Sequence, residues 1–280
     1  MENRPTPAND QAALWNGPSG HAWVEAQETL DQMLRPFEEL LLADMAAGSA
    51  QKVLDIGCGT GSTTLAVARA LEPTGHATGI DISEPMLALA RERAARAGAQ
   101  ATFVCADAQR YPFEPGAVDA IVSRFGVMFF DDAVAAFTNL RRAARPDAAL
   151  RFVAWRSAAE NPFMTTAEQA AAPLLPELPP RRPNAPGQFF FADRERVRAI
   201  LTNSGWTDVA IEPADVTCEF PANALDAYLA RLGPVGTVLR DADEATRARV
   251  TQAIRPAFER YIQDDVLRFT GACWLATARA

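Results

Sequence analysis

The fold of this chain is decided by residues 53–62, which read VLDIGCGTGS. A short apolar run carries a carboxylate near its end and leads directly into a glycine-rich turn, after which a helical pattern begins. Glycine lets the backbone bend tightly, and it lets a ligand lie against the chain because no Cβ atom stands in the way. Three glycines at alternate positions cost conformational entropy that a plain turn would not need. The stretch therefore predicts a strand, a ligand-binding turn and a helix.

Around this stretch, short apolar runs and helical patterns alternate from residue 52 to about residue 155. This alternation is typical of βαβ units, which build a parallel sheet. We predict strands at 52–56, 77–80, 102–105, 118–123 and 150–155, with helices at 62–71, 84–97 and 132–144. The central part of the chain is thus predicted to be an α/β domain.

The flanking segments follow different patterns. Apolar residues recur at helical spacing from Leu30 to Leu41, which predicts an amphipathic helix, and Pro36 within it predicts a kink or break near Arg35. Residues 161–191 are rich in proline, alanine and phenylalanine and are predicted to be an irregular excursion. Beyond them we predict helices at 194–204, 224–232 and 244–262 and strands at 208–212 and 266–278.

The composition narrows the class of protein. The 280 residues carry a formal net charge of −8, and 49% of them are hydrophobic, which is enough for a full core and argues against disorder. The acidic balance argues against a nucleic-acid partner, because phosphate binding needs clustered lysine and arginine. No run approaches the roughly 18 apolar residues of a membrane helix, and the first residues lack the apolar core of a signal peptide. We therefore expect a cytoplasmic protein without membrane insertion.

Metal sites and disulfides are not expected. The four cysteines are far apart and form no CxxC pair, and the chain has only two histidines, His21 and His76. Structural zinc sites and disulfide frameworks need more numerous or more closely spaced residues of these types. We therefore expect reduced thiols and no bound metal.

The spacing and the charge of the glycine turn distinguish two kinds of ligand. In the dinucleotide fingerprint GxGxxG the third glycine would fall on Ser62 or Thr64, so the spacing fails from either starting point. A carboxylate at Asp55 would repel a pyrophosphate and attract a cation. S-adenosylmethionine is such a ligand, since it carries an ammonium and a sulfonium and no phosphate. A nicotinamide-dependent reductase is the alternative that these two observations disfavour.

Two further carboxylates follow the next two predicted strands. Asp81 comes 20 residues after Gly61, where an acidic residue accepts hydrogen bonds from both ribose hydroxyls. A surface helix cap is the alternative for Asp81. Asp107 ends the third strand, where a carboxylate can accept a hydrogen bond from the exocyclic amine of adenine, and a simple strand-terminal turn is its alternative. Together with the glycine turn, these residues predict a site for an adenosine.

These three motifs, in this order, resemble those of the class I (Rossmann-like) S-adenosylmethionine-dependent methyltransferases. Residues 118–130, VDAIVSRFGVMFF, are similar to that family's fourth strand and the loop beyond it. Residues 142–150 resemble the turn before its fifth strand, with Asp147 and Ala148 in place of the usual two glycines. The opening WNGPSGHAW at residues 15–23 is similar to that of the small-molecule methyltransferases related to ubiquinone and menaquinone biosynthesis.

The resemblance implies a fold and a division of the chain. The fold is α/β, with a doubly wound, mostly parallel, seven-stranded Rossmann-like sheet, an N-terminal helical cap and an inserted lid after strand five. The cap is expected at residues 1–48 and the S-adenosylmethionine-binding core at 49–156. The lid and a following helix are expected at 157–207, and residues 208–280 complete the sheet and add a helical cap over the substrate.

The resemblance also implies which residues bind S-adenosylmethionine, the cofactor whose product is S-adenosylhomocysteine. These residues are Trp15, Trp23, Gln27, Asp55, Gly57, Cys58, Gly59, Thr60, Asp81, Ile82, Met86, Asp107, Ala108, Ser123 and Arg124. For the two tryptophans, cation–π attraction to the sulfonium supports a binding role. Packing of the N-terminal helix on the sheet is their alternative.

The implied reaction is methyl transfer to the oxygen, nitrogen or carbon of a small-molecule acceptor. The substrate-binding residues are expected to be Phe125, Met128, Phe129 and Phe189, which predict an apolar or aromatic acceptor. His21 is the histidine nearest to a predicted site element and is the candidate general base, with tyrosines as further options.

Other functions stay open on the sequence alone. An S-adenosylmethionine-binding enzyme of the same fold could catalyse a non-methyl reaction, such as a cyclisation or a decarboxylation, with an identical cofactor site. A non-catalytic binding protein is a further alternative. The helices expected at 224–232 and 244–262 are candidates either for covering the pocket or for a homodimer surface.

Overall fold

A computed structural model describes residues 8–43, 51–71, 74–176, 178, 181 and 185–280 of the chain. The start of the chain, the predicted domain boundary near residue 48 and part of the proline-rich excursion lie outside these ranges. The helices are α1 (Ala8–Asn16), α2 (Pro18–Glu25), α3 (Gln27–Leu42), α4 (Ser62–Ala70), α5 (Glu84–Ala97), α6 (Ala133–Ala143), α7 (Pro162–Ala171), α8 (Arg194–Asn203), α9 (Leu225–Arg231), α10 (Gly233–Arg240) and α11 (Glu244–Ile254). The strands are β1 (Lys52–Ile56), β2 (His76–Asp81), β3 (Ala101–Cys105), β4 (Val118–Arg124), β5 (Ala144–Trp155), β6 (Thr207–Pro221), β7 (Ile262–Gln263) and β8 (Val266–Arg279).

The strands form one sheet in the order β3-β2-β1-β4-β5-β8-β6, and the two-residue β7 pairs with β8. The first five strands in this order are parallel, and β8 runs antiparallel to both β5 and β6. The strand order reverses between β1 and β4, and open α/β sheets bind ligands outside the carboxyl ends of their strands at such a point. The predicted doubly wound, mostly parallel, seven-stranded sheet is confirmed, with β7 as a short addition.

The central strand β1 explains why residues 53–62 decide the fold. It lies between β2 and β4, and its residues from Val53 to Ile56 are buried. Val53 packs with Val67 of α4 in one hydrophobic cluster, whereas Leu54 and Ile56 belong to the larger core. Because successive side chains of a strand point to opposite faces of the sheet, β1 is covered on both faces.

The helix α3 runs through Pro36 without the predicted break near Arg35. A proline inside a helix costs about 3 kcal/mol, because it removes a hydrogen bond and crowds the preceding turn. Leu34, Phe37 and Leu41 are almost fully buried on the inner face of α3, and burying a side chain of this kind contributes about 1.5–3 kcal/mol. The alternative of a break was wrong because this packing outweighs the local cost, and the alternative of a kink stays a prediction.

Residues 161–191, which were predicted to be irregular, include a helix. The helix α7 begins at Pro162, in the first turn of a helix, where proline needs no N–H donor. Phe163 stacks on Phe269 of β8 with 3.8 Å between the ring centroids, which anchors α7 on the sheet. The prediction was wrong for residues 162–171, because richness in proline alone does not distinguish the start of a helix from a loop.

The C-terminal part departs from the prediction at three places, one of which is β6, since the strand predicted at 208–212 continues to Pro221. Residues 233–240 form α10, which was not predicted, and the helix predicted at 244–262 ends as α11 at Ile254 and continues as a 3₁₀ turn over Arg255–Tyr261. Pro256 explains this change, since it cannot donate to the helical ladder. Among the described residues, no helix is both long enough and apolar enough to cross a membrane.

Candidate active site

A cavity of about 580 Å³ lies at the carboxyl ends of β1, β2 and β4. Most of the predicted site residues line it, namely Trp15, Trp23, Gly57, Gly59, Asp81, Ile82, Met86, Asp107, Ala108, Arg124, Phe125, Met128 and Phe129. The parallel strands bring these residues together because their carboxyl ends meet at one edge of the sheet.

The glycine turn after β1 forms one wall of the cavity. Gly57 and Gly59 have φ angles of +65° and +54°, which glycine adopts without strain. A Cβ atom at Gly57 would lie 2.6 Å from the Cα atom of Gly126, whereas one at Gly59 would meet the Met86 sulfur at 3.8 Å. Gly57 is therefore required by the close approach of the loop after β4, and Gly59 leaves the wall open to a ligand.

The turn after β2 presents the carboxylate of Asp81 to the cavity. Its Oδ2 accepts a hydrogen bond from the Gly59 N–H at 2.8 Å, and its Oδ1 accepts one from the Ser83 N–H at 2.9 Å. Asp81 is only 8% exposed, and this burial raises the pKa of its carboxyl above the ordinary value. Each oxygen keeps a further acceptor direction, so the oriented carboxylate can accept from a diol.

The carboxylate of Asp107, after β3, is engaged in local contacts. Its Oδ1 accepts a hydrogen bond from the Gln109 N–H at 2.9 Å, and its Oδ2 pairs with the Arg110 guanidinium at 2.5 Å. The neighbouring Ala108 is buried and lines the same part of the cavity. These contacts hold Asp107 at the cavity wall.

Asp55 lies behind the glycine turn rather than in the cavity lining. Its Oδ2 accepts a hydrogen bond from the Thr64 hydroxyl at 2.6 Å, and its buried Oδ1 has no partner among the described residues. Burial raises the pKa of this carboxyl to about 7, although the Thr64 hydrogen bond and the Arg124 charge act in the opposite direction. Asp55 is therefore only partly ionised near neutral pH, and its predicted role toward an ammonium group stays a prediction.

A charged pair that the sequence did not reveal lies between α3 and the end of β4. Glu38 accepts a hydrogen bond from the Ser62 hydroxyl at 2.6 Å, and the same Oε2 lies 3.6 Å from Nη1 of Arg124. This Nη1 is buried, and the described part of the chain offers it no hydrogen-bond acceptor. Arg124 thus brings a guanidinium with a free N–H group to the cavity, beside the glycine turn.

The N-terminal helices close one side of the cavity. Trp15 and Trp23 line it, with their ring centroids 6.0 Å apart in an edge-to-face arrangement. Trp15 also meets Phe129 edge-on at 5.3 Å between ring centroids. The two tryptophans therefore pack against neighbouring rings and form part of the wall at the same time.

Comparison with known proteins identifies the central part of the chain. A family model described as a methyltransferase domain matches residues 53–147. These residues are a methyltransferase domain. This match agrees with the resemblance of residues 53–147 to the class I, S-adenosylmethionine-dependent methyltransferases. The domain contains the glycine turn, Asp81, Asp107 and the end of β4.

Individual relatives resemble the chain over different lengths. Demethylmenaquinone methyltransferase from Staphylococcus aureus is 36% identical over 110 residues, which are 39% of this chain and 45% of the relative. The chain thus spans less than half the length of the curated relatives that it matches.

Solved structures share the fold of most of the chain. The Bacillus subtilis protein YcgJ is 16% identical, with a TM-score of 0.54 over 86% of this chain and 97% of that protein. The [4+2]-cyclase SpnF is 20% identical, with a TM-score of 0.54 over 87% of this chain and 79% of the cyclase. At these identities the structures establish a common fold, and a fold does not name a reaction.

Segments outside the methyltransferase domain complete the cavity. The lining residues that the sequence reasoning missed include Leu30, Met33, Leu34, Trp155, Met164, Arg181, Gln188, Arg231 and Thr237. The helical spacing of the apolar residues Leu30, Met33 and Leu34 predicted that they are buried. It does not distinguish a side chain in the core from one that lines a cavity. Those from irregular backbone, such as Arg181, carried no signal.

Aromatic side chains form the wall beyond Arg124. Phe125 stacks on Trp155 with 4.2 Å between the ring centroids and an angle of 2° between the ring planes. Phe125 also has a φ angle of +66°, which is uncommon for a residue with a side chain and turns the backbone away from β4. Met128 and Phe129 follow it in the same wall, so three of the four predicted substrate-binding residues line the cavity.

Besides Asp55, six predicted site residues lie outside the cavity lining that the described residues define, namely His21, Gln27, Cys58, Thr60, Ser123 and Phe189. Ser123 donates to the Ile56 carbonyl at 2.7 Å and accepts from the Gly126 N–H at 3.1 Å. The Thr60 carbonyl accepts from Arg93 at 2.7 Å. Both residues therefore support the backbone of the site rather than its surface.

The other four are engaged elsewhere. Gln27 donates to Asp31 at 2.5 Å, and Phe189 lies under the Arg181 guanidinium, 4.7 Å from it. Cys58 is buried, which raises the pKa of its thiol well above the ordinary value and leaves it unreactive. His21 is exposed, with Nδ1 3.0 Å from the Gly17 carbonyl oxygen, so it does not face the cavity.

The residues of this cavity suit S-adenosylmethionine. The oriented carboxylate of Asp81 matches a ribose diol, and the N–H group of Arg124 that lacks a hydrogen-bond acceptor matches a carboxylate. Gly59 provides a wall without a Cβ atom, and the unpartnered Oδ1 of Asp55 lies behind the same turn. A pyrophosphate in the cavity would instead lie beside the carboxylate of Asp81.

Proposed function

We propose that this protein is an S-adenosylmethionine-dependent methyltransferase whose acceptor is a small, apolar or aromatic molecule. The cavity is the observation that carries the proposal. The polar residues that follow the parallel strands and a wall of aromatic side chains line the same cavity. A cofactor held at the strand ends would therefore meet an acceptor held against the aromatic wall.

The proposed assignments at the adenosine end follow the geometry of the strand ends. Asp81 accepts hydrogen bonds from the ribose hydroxyls, with its carboxylate already oriented by two backbone N–H groups. Ile82 and Met86 lie beside the adenine, and Asp107 and Ala108 receive its polar edge. Backbone donors from the turns after β1 and β2 thus fix the Asp81 carboxylate before the nucleoside binds.

At the methionine end, the carboxylate of the ligand pairs with Arg124, because that guanidinium has a buried N–H group without a hydrogen-bond acceptor. Gly57 and Gly59 provide the wall, and the carboxylate of Asp55, behind the turn, attracts the ammonium group electrostatically. Trp15 and Trp23 cover the cofactor from α1 and α2.

When bound, S-adenosylmethionine supplies a methyl group on a sulfonium leaving group. The contribution of the protein is to hold the acceptor atom in line with that methyl group, and such alignment can supply roughly 7–11 kcal/mol of a barrier. We assign no proton transfer to His21, since it lies outside the cavity lining. Tyr228 lines the cavity, but burial raises the pKa of its phenol, so this group acts as a hydrogen-bond donor and not as a base.

The acceptor end draws on the segments predicted as a lid and a substrate cap. Met164, Arg181 and Gln188 come from residues 157–207, and Tyr228 and Thr237 come from the C-terminal helices. Together with the aromatic wall, they favour a mostly apolar acceptor with one polar group. The Staphylococcus aureus relative is named for action on demethylmenaquinone. A ring-containing acceptor is therefore the first class to test.

The decisive experiment is to incubate the purified chain with S-adenosylmethionine and a panel of phenols, quinols and aromatic amines. We expect one class to be methylated with release of one S-adenosylhomocysteine per product. An acceptor that is converted without this release would favour the non-methyl alternative. Calorimetry that detects binding of a nicotinamide dinucleotide and no binding of S-adenosylmethionine would overturn the proposal.

Three further proposals concern the setting of the protein. The net charge of −8 supports action without a nucleic-acid partner, and the four free cysteines support a cytoplasmic location. The C-terminal helices α9–α11 are the proposed surface for a homodimer, which light scattering of the purified protein tests.

A further inference from the structure

The segment formed by α1 and α2 is bound to the turn that follows β2. At the end of α1, the Asn16 side chain donates from Nδ2 to the Ile82 carbonyl at 2.8 Å and accepts at Oδ1 from the Glu84 N–H at 2.9 Å. The same Nδ2 donates to the Ala12 carbonyl at 3.0 Å, which fixes the side chain on its own helix. One amide thus joins two parts of the chain that are more than 60 residues apart.

A second contact reinforces this connection. The Ser83 hydroxyl donates to the backbone carbonyl of Trp15 at 2.5 Å. Gly20, in the first turns of α2, lies directly over it, because a Cβ atom there would be 2.0 Å from the Trp15 carbonyl oxygen and 2.9 Å from the Ser83 hydroxyl. The turn between α1 and α2 therefore fits the turn after β2 closely.

Both sides of this contact belong to the cavity. The Ser83 N–H orients the Asp81 carboxylate, and Ile82 lines the cavity. On the other side, the Trp15 ring lines the cavity and packs edge-on against Phe129 in the same wall. A substitution at Asn16 can therefore affect the cavity wall through Trp15. It can also affect Asp81, the residue proposed to bind the ribose, through the turn after β2.

We propose that Asn16 is a positioning residue that latches α1 and α2 over the nucleoside end of the cavity. With the latch closed, Trp15 covers the bound nucleoside. With the latch open, α1 and α2 move away from the turn after β2, and the nucleoside enters or leaves. The inference rests on the proposed function in one respect, since it takes the ligand of this end to be the S-adenosyl nucleoside.

The test compares the wild-type protein with Asn16→Ala, using S-adenosylhomocysteine as the probe. Loss of the two hydrogen bonds that join the Asn16 amide to the turn after β2 raises the dissociation constant about tenfold, mainly through faster dissociation. Amide hydrogens of residues 15–25 exchange faster in the ligand-free variant. In turnover, the KM for S-adenosylmethionine rises while kcat is unchanged or increased, because release of product is also faster.

Two further variants sharpen the comparison. Asn16→Asp keeps an acceptor for the Glu84 N–H but places a carboxylate oxygen against the Ile82 carbonyl, so its dissociation constant should be at least as high as that of Asn16→Ala. Asn203→Ala changes an exposed asparagine at the end of α8, outside the cavity lining, and should bind S-adenosylhomocysteine as wild type does.

The outcomes separate this inference from the proposed function. Unchanged exchange at residues 15–25 in Asn16→Ala overturns the latch, whatever the ligand does. Faster exchange with unchanged affinity for S-adenosylhomocysteine also overturns it, because the contact would then be structural only. Failure of the wild-type protein to bind S-adenosylhomocysteine or S-adenosylmethionine contradicts the proposed function, and the latch is then supported or overturned by the exchange measurement alone.

Discussion

At the scale of single residues, burial sets the pKa of the carboxyl groups at this site. Asp55 is 1% exposed and Asp81 is 8% exposed, and burial raises the pKa of both carboxyls. Arg124 is the cation that opposes this effect at Asp55. Removing such groups from water costs free energy, and proteins accept this cost mainly at functional sites.

Asp55 should make the stability of the protein depend on pH. Its folded-state pKa of about 7 lies above the ordinary value of 3.8, so the folded state binds this proton more tightly than the unfolded state. The resulting stabilisation is complete at about pH 4 and is lost as the pH rises to about 7. We expect the difference in unfolding free energy between wild type and Asp55→Asn to fall by about 2–3 kcal/mol from about pH 5 to about pH 8. Urea unfolding across this range measures it, and a constant difference would contradict the prediction.

Asp81→Asn should weaken S-adenosylhomocysteine binding roughly 10- to 100-fold, because hydrogen bonds to a charged group contribute about 1.5–3 kcal/mol. Calorimetry measures the affinity. Asp119→Asn is the matched control, since Asp119 also accepts two backbone N–H groups, at 2.9 and 2.8 Å, but is outside the cavity lining. Equal losses of affinity in both variants would contradict the ribose assignment.

Among the elements, the turn after β1 is the most tightly constrained. Gly57→Ala would place a Cβ atom 2.6 Å from the Gly126 backbone and would keep a φ of +65°. Gly98→Ala is its control, because Gly98 has a φ of +58° but no atom within 4 Å of its Cβ position. The control should cost about 1 kcal/mol for its backbone conformation. Gly57→Ala should cost a further 1–3 kcal/mol or so for overpacking.

Unfolding by denaturant measures both glycine variants on the same scale. Similar losses for the two would show that backbone conformation alone determines the requirement for glycine. A larger loss for Gly57→Ala would show that contact between the ends of β1 and β4 determines it.

Sequence patterns predicted some elements better than others. The strand at 52–56 was predicted with its observed bounds, because a strand covered on both faces of the sheet is mostly apolar, as Val53, Leu54 and Ile56 are here. The continuity of α3 through Pro36 and the start of α7 at Pro162 were not predicted. In both cases contacts with distant residues decide whether the helix continues or begins at the proline. Local helix propensity takes no account of those contacts.

At the scale of the whole molecule, a ligand between the sheet and its helical covers should stabilise the fold. S-adenosylhomocysteine at 100 times its dissociation constant adds about 2.7 kcal/mol of stability. For a chain of this size we expect the Tm to rise by roughly 5–10 °C. A thermal scan with S-adenosylhomocysteine, and with NADH as the control, measures this effect. A rise with NADH alone would contradict the cofactor assignment.

The sequence by itself determined the sheet, the glycine turn and the carboxylates at the strand ends. The reason is that hydrophobic periodicity and backbone demands are properties of neighbouring residues. Only the tertiary structure placed Glu38 beside Arg124, Asn16 on the turn after β2, and Asp55 behind the cavity wall. These contacts join residues far apart in the chain, and the direction of each side chain depends on packing that no local pattern encodes.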